Sequence, residues 1–314
     1  ELDRAGAPEP LNILGEGLAG PSIVEFGSDL QKDRYLRAIL TGDEVWCQLF
    51  SEPESGSDLA SLRTKATNVD GGWRIQGQKI WTSRAHVAAH GMLLARTGGG
   101  KRHKGITYFL APMDTPGITI RPLRHMLGEA EFNEVFFDDV FLPDGCVLGE
   151  VDAGWSVAMA TLAYERVALA TGRVNTRGAV DDIVADISAM TSADGSPLGS
   201  DPEVRQRVAD LYGRALVHYL IGQRVVTLAA KDKAPGPVTS IGKLYFCPLV
   251  EDLADFRLGL QPLGGQFDLD AGGGDESAQR WLRLAYQARG TAIAGGSTYI
   301  QRNIVAERML GMPR

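Results

Sequence analysis

The chain has 314 residues and a formal net charge of −7. That length can bury two or three cores, and the acidic balance argues against nucleic acid and anionic membrane as main partners, while local Arg and Lys could still grip a phosphorylated ligand. Cys47, Cys146 and Cys247 lack metal-ligand spacing and read as buried thiols of a reducing compartment; with no bilayer-length apolar run and no secretory signal, a cytoplasmic protein is expected.

Residues 1–43 read as partly helical, with an amphipathic helix over 28–40 whose apolar members are Leu30, Tyr35, Leu36 and Ile39. From 44 to about 150 the texture is strand-like. Trp73-Arg74-Ile75-Gln76-Gly77 and Glu134-Val135-Phe136-Phe137 alternate, and Gly71-Gly72, Gly98-Gly99-Gly100 and Pro116-Gly117 are turns. A compact antiparallel β-domain is expected here. From Gly154 the period is helical. One long helix is expected over 155–190. A second covers 203–231, with Val204, Val208, Leu211, Tyr212, Ala215, Tyr219, Gly222 and Val226 along one stripe. A third covers 240–260, which Pro248 should kink. The last helical material, 281–309, breaks at Gly295-Gly296. Four antiparallel helices make a bundle, and 268–277 is a polar, Gly-rich loop. The fold class is therefore α+β.

Two short polar segments stand out. One is Leu49-Phe50-Ser51-Glu52-Pro53-Glu54-Ser55-Gly56-Ser57-Asp58; the other is Gly77-Gln78-Lys79-Ile80-Trp81-Thr82-Ser83. Each ends an apolar run and offers small hydroxyls beside backbone N–H groups. Such groups can hold a phosphate and the polar edge of a flat heterocycle, on which the Trp81 indole can stack. Read from the residues alone, this is either a nucleotide or flavin site, or a Gly/Ser turn between strands with a core tryptophan.

The same residues resemble the flavin-binding signatures of the acyl-CoA dehydrogenase family. Phe132-Asn133-Glu134-Val135-Phe136-Phe137-Asp138-Asp139-Val140 is similar to the family's second signature, and Gln301-Arg302-Asn303-Ile304-Val305-Ala306-Glu307-Arg308 to its last helix. The resemblance implies a family-like fold: 1–43 as a remnant of an N-terminal helical domain, 44–150 as the β-domain, and 151–314 as a C-terminal four-helix bundle. It implies FAD as cofactor, an acyl-CoA substrate, an electron-transfer flavoprotein as partner, and a homo- or hetero-tetramer. By resemblance, Trp81 and Ser83 cover the flavin ring and bond its reactive edge, and Ser51 and Phe50 supply further contacts. Gly56 and Ser57 meet the pyrophosphate. Gln261, Gly264 and Gly265 match the family's Gln-x-x-Gly-Gly against the ADP part, and Ser297 and Tyr299 stand on the adenosine side.

The chemistry requires a carboxylate to take a weakly acidic α-proton, and donors for the thioester carbonyl. In many relatives the base is a Glu ahead of the last helix; the matching position here is Gly295, which has no side chain. A subset of the family, including enzymes resembling isovaleryl-CoA and long-chain acyl-CoA dehydrogenases, places the base on the first long helix, immediately before an Arg. That position is Glu165, followed by Arg166. Ala158, Thr161, Leu162, Glu165, Ala168, Leu169 and Gly172 share one face by spacing, so a base with a raised pKa is expected there. The structural alternative is a buried Glu165–Arg pair joining two helices. Gly295 keeps its N–H as a possible carbonyl donor, or is simply a turn capped by Ser297. Arg166 resembles an Arg along the acyl-CoA path, or is a surface charge.

Departures from the family pattern matter too. Where relatives carry an Arg and a Phe-Gly for a neighbouring subunit's flavin, this chain has Thr191, Ser192, Ala193, Asp194, Gly195 and Ser196. Either a heteromer resembling the two-gene dehydrogenases of actinobacterial steroid side-chain breakdown, or a homomer with weaker or rebuilt FAD contacts, would account for this. His86, His90, His103, His125 and His218 make no metal spacing. Lys101-Arg102-His103-Lys104 is a solvated hairpin tip, or a site that meets an anionic CoA tail. The expected activity is FAD-dependent α,β-dehydrogenation of an acyl-CoA. The alternatives are a catalytically weak or silent partner subunit of a heteromer, and a dehydrogenase-like flavin oxygenase.

Overall fold

The structure, a computed structural model, describes residues 11–100, 102–170, 175–231, 233, 236–260 and 276–313. The chain divides into two compact units, Glu1–Glu165 and Arg166–Arg314.

In the first unit, α1 (Gly20–Phe26) leads into α2 (Asp29–Thr41). A reciprocal Ser28–Gln31 capping box starts α2, and Gly42 stops it at φ 75°. Tyr35 and Ile39 are buried, but Leu30 is exposed. At about 100° per residue, Leu30 lies half a turn around from Ile39, so it does not belong to the expected apolar stripe.

Among the described residues, eight strands form one sheet: β1 (Trp46–Leu49), β2 (Lys65–Val69), β3 (Gly72–Ser83), β4 (His90–Arg96), β5 (Ile106–Pro112), β6 (Ile118–Leu123), β7 (Phe132–Pro143) and β8 (Val147–Leu148). The order is β6-β7-β3-β2-β4-β5-β8, with β1 also on β4. The sheet is mixed rather than purely antiparallel. β1 pairs with β4 in parallel, as does β2 through Lys65 and Arg96, because the chain makes the β2–β3 hairpin and then returns in its original direction.

Side chains alternate between two cores, as the strand period of two requires. Trp46, Met92, Leu94, Tyr108 and Leu110 face one side with Ile23, Ile39, Val157 and Ala158. Cys47, Leu49, Leu93, Ala95, Phe109 and Ala111 face the other with Trp73, Val135 and Phe137. The start of α3 (Gly154–Ala170) belongs to the first core. A Cβ on Gly154 would meet Tyr108 N at 2.4 Å, so only glycine lets α3 begin against β5. The expected boundaries at 43/44 and 150/151 therefore fall inside the first unit.

The second unit holds α4 (Thr176–Ala189), α5 (Pro202–Ala229), α6 (Val238–Gly259), α7 (Glu276–Thr291) and α8 (Thr298–Arg308). The single helix expected over 155–190 is two helices. Asn175 caps α4 in a non-helical conformation, its side chain accepting from Gly178 N at 3.0 Å, and such a cap competes with helix continuation. Val180, Ile183, Leu211, Ala215, Leu249, Leu253, Trp281 and Ala285 form a core shared by α4, α5, α6 and α7. On α5 the buried residues are Leu211, Ala215, His218, Gly222 and Val225. Tyr212, Tyr219 and Val226, expected inside, are exposed; the stripe continues through the polar His218. Pro248 stands inside α6 and leaves the Leu244 carbonyl without its i+4 donor. Gln261, Gly264, Gly265 and the segment 268–275 lie outside the described residues.

Candidate active site

The two motif segments meet beside the C-terminal end of β3. Past the end of β1, Ser51 O accepts from Ile80 N at 2.9 Å, and Phe50 O accepts from Lys79 Nζ at 3.1 Å. The β3–β7 pairing slips between Lys79 and Thr82. Trp81 sits in that slip with φ 59°, a left-handed conformation that is strained for a bulky residue. The irregularity turns the indole outward, where it is 60% exposed and meets Phe132 edge-on at 5.9 Å. Trp81 is thus not a core tryptophan; on the same strand it is Trp73 that packs into the core. Ser83 ends β3 half-buried opposite Phe132. Gly56 and Ser57 are exposed on the loop between the Glu52–Ser55 bridge and Leu59. An outward indole, small hydroxyls and a bare Gly-Ser turn fit a flavin: a flat ring to cover, an edge to bond and a phosphate to receive.

Beneath this surface lies a buried ion pair that the sequence reading passed over. Lys79 Nζ is 2.7 Å from Glu52 Oε1, and the Glu52 carboxylate also accepts from Arg63 N at 2.6 Å and Thr64 N at 2.9 Å. Burial alone would raise the Glu52 pKa, but the Lys79 charge and these hydrogen bonds outweigh it and hold the carboxyl below its ordinary range. Burial lowers Lys79 to about 8, against the opposing pull of Glu52. The signal was present in the sequence: an acid inside the first motif and a lysine two residues before Trp81.

On α3, Thr161 is buried and hydrogen-bonded to Ser22 Oγ at 2.8 Å, and Leu162 packs on the first core. Glu165 follows one turn later and is half-buried, as is Arg166; each has an interaction partner. Of the remaining face, the side chains of Ala168 and Leu169, and Gly172, lie outside the described residues.

Gly295 and Gly296 both adopt positive φ, 64° and 90°. Gln301 Nε2 donates to Gly295 O at 2.9 Å and Gly296 O at 3.2 Å. Lys243 Nζ donates to Gly296 O at 2.6 Å and also to Ala294 O. Ser297 occupies the N-cap position of α8, yet its side chain makes no capping bond. Tyr299 is exposed. The three cysteines are buried, and burial raises their thiols, Cys146 to about 11, so they are not nucleophiles at neutral pH.

Residues 47–140 match the model of the acyl-CoA dehydrogenase middle domain, and residues 152–310 match the C-terminal domain of acyl-CoA dehydrogenases. The chain belongs to the acyl-CoA dehydrogenase family. It is 38% identical over 325 residues to the acyl-CoA dehydrogenase IpdE1 of Mycolicibacterium smegmatis, matching 100% of this chain and 79% of that one. It is 41% identical over 315 residues to the acyl-CoA dehydrogenase FadE34 of Mycobacterium tuberculosis, again along 100% of this chain, which spans 42% of FadE34. Among solved structures it superposes on the Tcur3481-Tcur3483 steroid ACAD with a TM-score of 0.88 at 29% identity, covering 100% of this chain and 79% of that one. The acyl-CoA dehydrogenase relatives thus match both units along the whole sequence.

Proposed function

We propose that this chain carries FAD and catalyses α,β-dehydrogenation of an acyl-CoA thioester, with Glu165 taking the α-proton. The carrying observation is a half-buried carboxylate on α3 in a chain whose other base position is Gly295. Bound FAD supplies the hydride acceptor; Trp81 would cover its ring, Ser51, Ser83 and the Phe50 backbone its edge, and Gly56 and Ser57 its pyrophosphate. The Gly295 N–H would polarise the thioester carbonyl. An electron-transfer flavoprotein would take the electrons onward. A cleft of about 680 Å³ in the first unit, lined by Arg63, Lys65, Arg96 and Arg102, supports an anionic nucleotide end on the substrate. The steroid ACAD neighbour and the helix-borne base together favour a bulky acyl group.

The protein should purify yellow. Anaerobic addition of an acyl-CoA should bleach the flavin of the parent but not of Glu165→Gln. Equal bleaching of both would remove Glu165 as the base.

A second reading, a weak or silent partner subunit of a heteromer, has its own support. Residues 191–197 close on themselves, with Ser192 N donating to Ser196 O and Asp194 accepting from Ser196. Hydrogen bonds from Ser196 hold Asp194 below its ordinary pKa, and its carboxylate puts a negative charge in the segment where the family resemblance would call for an Arg. An exposed apolar stripe on α5, formed by Tyr212, Leu216, Tyr219 and Leu220, supports assembly with another chain. A colourless protein that turns yellow only on co-expression with a second dehydrogenase chain would favour this reading.

A further inference from the structure

Lys243 is 1% exposed on α6, and burying an ammonium is expensive unless its donors are used. Two of its hydrogen bonds go to one short turn, to Ala294 O and to Gly296 O. From the other side, Gln301, also buried, donates to Gly295 O and Gly296 O. All three carbonyls of Ala294, Gly295 and Gly296 are therefore pinned by two side chains from different helices.

In a trans peptide the C=O of one residue and the N–H of the next point in opposite directions. Drawing Ala294 O toward Lys243 turns the Gly295 N–H away from α6. Drawing Gly296 O the same way turns the Ser297 N–H away as well. Two consecutive glycines at positive φ would otherwise be a permissive stretch of backbone. A side chain cannot replace the second one freely, because Gly296 stands at φ 90°, and a Cβ there would also push the Gln301 amide off its carbonyls.

We infer that Lys243 is a positioning residue, assisted by Gln301, that fixes the direction of the Gly295 N–H for the thioester carbonyl. This rests on the reading of Gly295 given under the proposed function. Lys243 acts only through the backbone turn. Its loss should therefore weaken stabilisation of charge developing on the carbonyl oxygen, more than it weakens ground-state binding.

The test compares the holoprotein, with its partner chain if one is required, with Lys243→Met and Gln301→Leu. Two measurements decide it: amide hydrogen exchange across residues 292–300, and kcat and KM with the acyl-CoA that bleaches the parent. Lys243→Met should accelerate exchange in that segment and lower kcat by about 100-fold, with KM changed by less than about threefold. Gln301→Leu should do the same to a smaller degree. Unchanged local exchange, or kcat within about threefold of the parent, would overturn the inference. So would exchange rising equally across α4, α5, α6 and α7, which marks a general packing role. If Lys243→Met does not fold, Gln301→Leu and Lys243→Arg decide by the same two measurements. If no acyl-CoA bleaches the parent, the function reading fails, and the positioning role for a thioester falls with it even if the exchange data confirm the clamp.

Discussion

Glu52 Oε1 lies 2.7 Å from Lys79 Nζ in the interior of the first unit, which fastens the loop carrying Phe50 and Ser51 to β3 just before the Trp81 irregularity. Breaking a buried pair by removing one partner leaves the other charge uncompensated, a loss of about 3–5 kcal/mol. Lys79→Met should lower the melting temperature by several degrees and weaken FAD retention. Glu52→Gln keeps the shape but leaves the Lys79 ammonium without its counter-charge, so it should cost a comparable amount. The Glu52 pKa is below its ordinary 4.5 in the folded protein. Its stabilisation is therefore fully present above about pH 4.5 and is lost as pH falls through the lower folded value. Acid unfolding curves should show that Glu52→Gln flattens this part of the profile.

Trp81 offers a test in which stability and binding move in opposite directions. Its left-handed backbone suits glycine, and its ring is mostly exposed. Trp81→Gly should leave the melting temperature unchanged or raise it, with a gain of up to about 1 kcal/mol. FAD affinity should fall by roughly 3–10-fold as the ring contact is lost. Calorimetry and flavin titration read the two effects separately; a loss of stability would mean that the indole serves packing.

The cationic cleft predicts a substrate effect without a chemical one. Lys65 and Arg102 are exposed at its rim, while Arg96 is occupied by the carbonyls of Ala60, Leu62, Gly100, Arg102 and Lys104. Replacing Lys65 and Arg102 together with Glu should raise KM for acyl-CoA by about tenfold. It should also weaken the salt dependence of kcat/KM and leave kcat nearly constant. An unchanged KM would place the nucleotide end elsewhere.

His218 predicts an acid-side loss of stability in the second unit. It is buried, its Nδ1 lies 3.2 Å from Thr176 Oγ1, and burial lowers its pKa below the ordinary 6.5. Below pH 6.5 the unfolded chain therefore binds a proton that the folded chain resists, and stability falls as pH falls toward the folded value. His218→Asn should reduce that slope in urea titrations run between pH 6.5 and pH 5.

The exposed stripe on α5 predicts an assembly defect without a folding defect. Replacing Leu216 and Leu220 with Lys should change the melting temperature of a monomer little. Light scattering should show a smaller particle than the parent gives.

Local signals carried much of this molecule. The Ser28–Gln31 capping box, the strands around Trp73 and Val135, and the Gly295-Gly296 break are all contiguous patterns, and each could be read directly. Asn175 was also legible as a helix start but was overlooked inside a run of helical spacing. What the sequence hid depends on distant residues. The parallel β1–β4 pairing, the slip that turns Trp81 outward and the Glu52–Lys79 pair each require contacts that no local window contains. His218 misled for another reason: a polar residue was not expected to continue an apolar stripe. Glu165 drew attention through its place on α3 just before an Arg, whereas the fully buried Lys243 drew none, because its bonds to the Ala294 and Gly296 carbonyls span some fifty residues of sequence.

Of the five tryptophans, Trp46, Trp73 and Trp281 are buried, Trp155 is half-buried, and Trp81 is open to solvent. The red edge of the intrinsic emission should therefore report chiefly on this one indole, and an acceptor dye or ring ligand seated on it would quench that component first. The bulge in β3 thus equips the molecule with a built-in optical probe of occupancy that needs no label and no turnover.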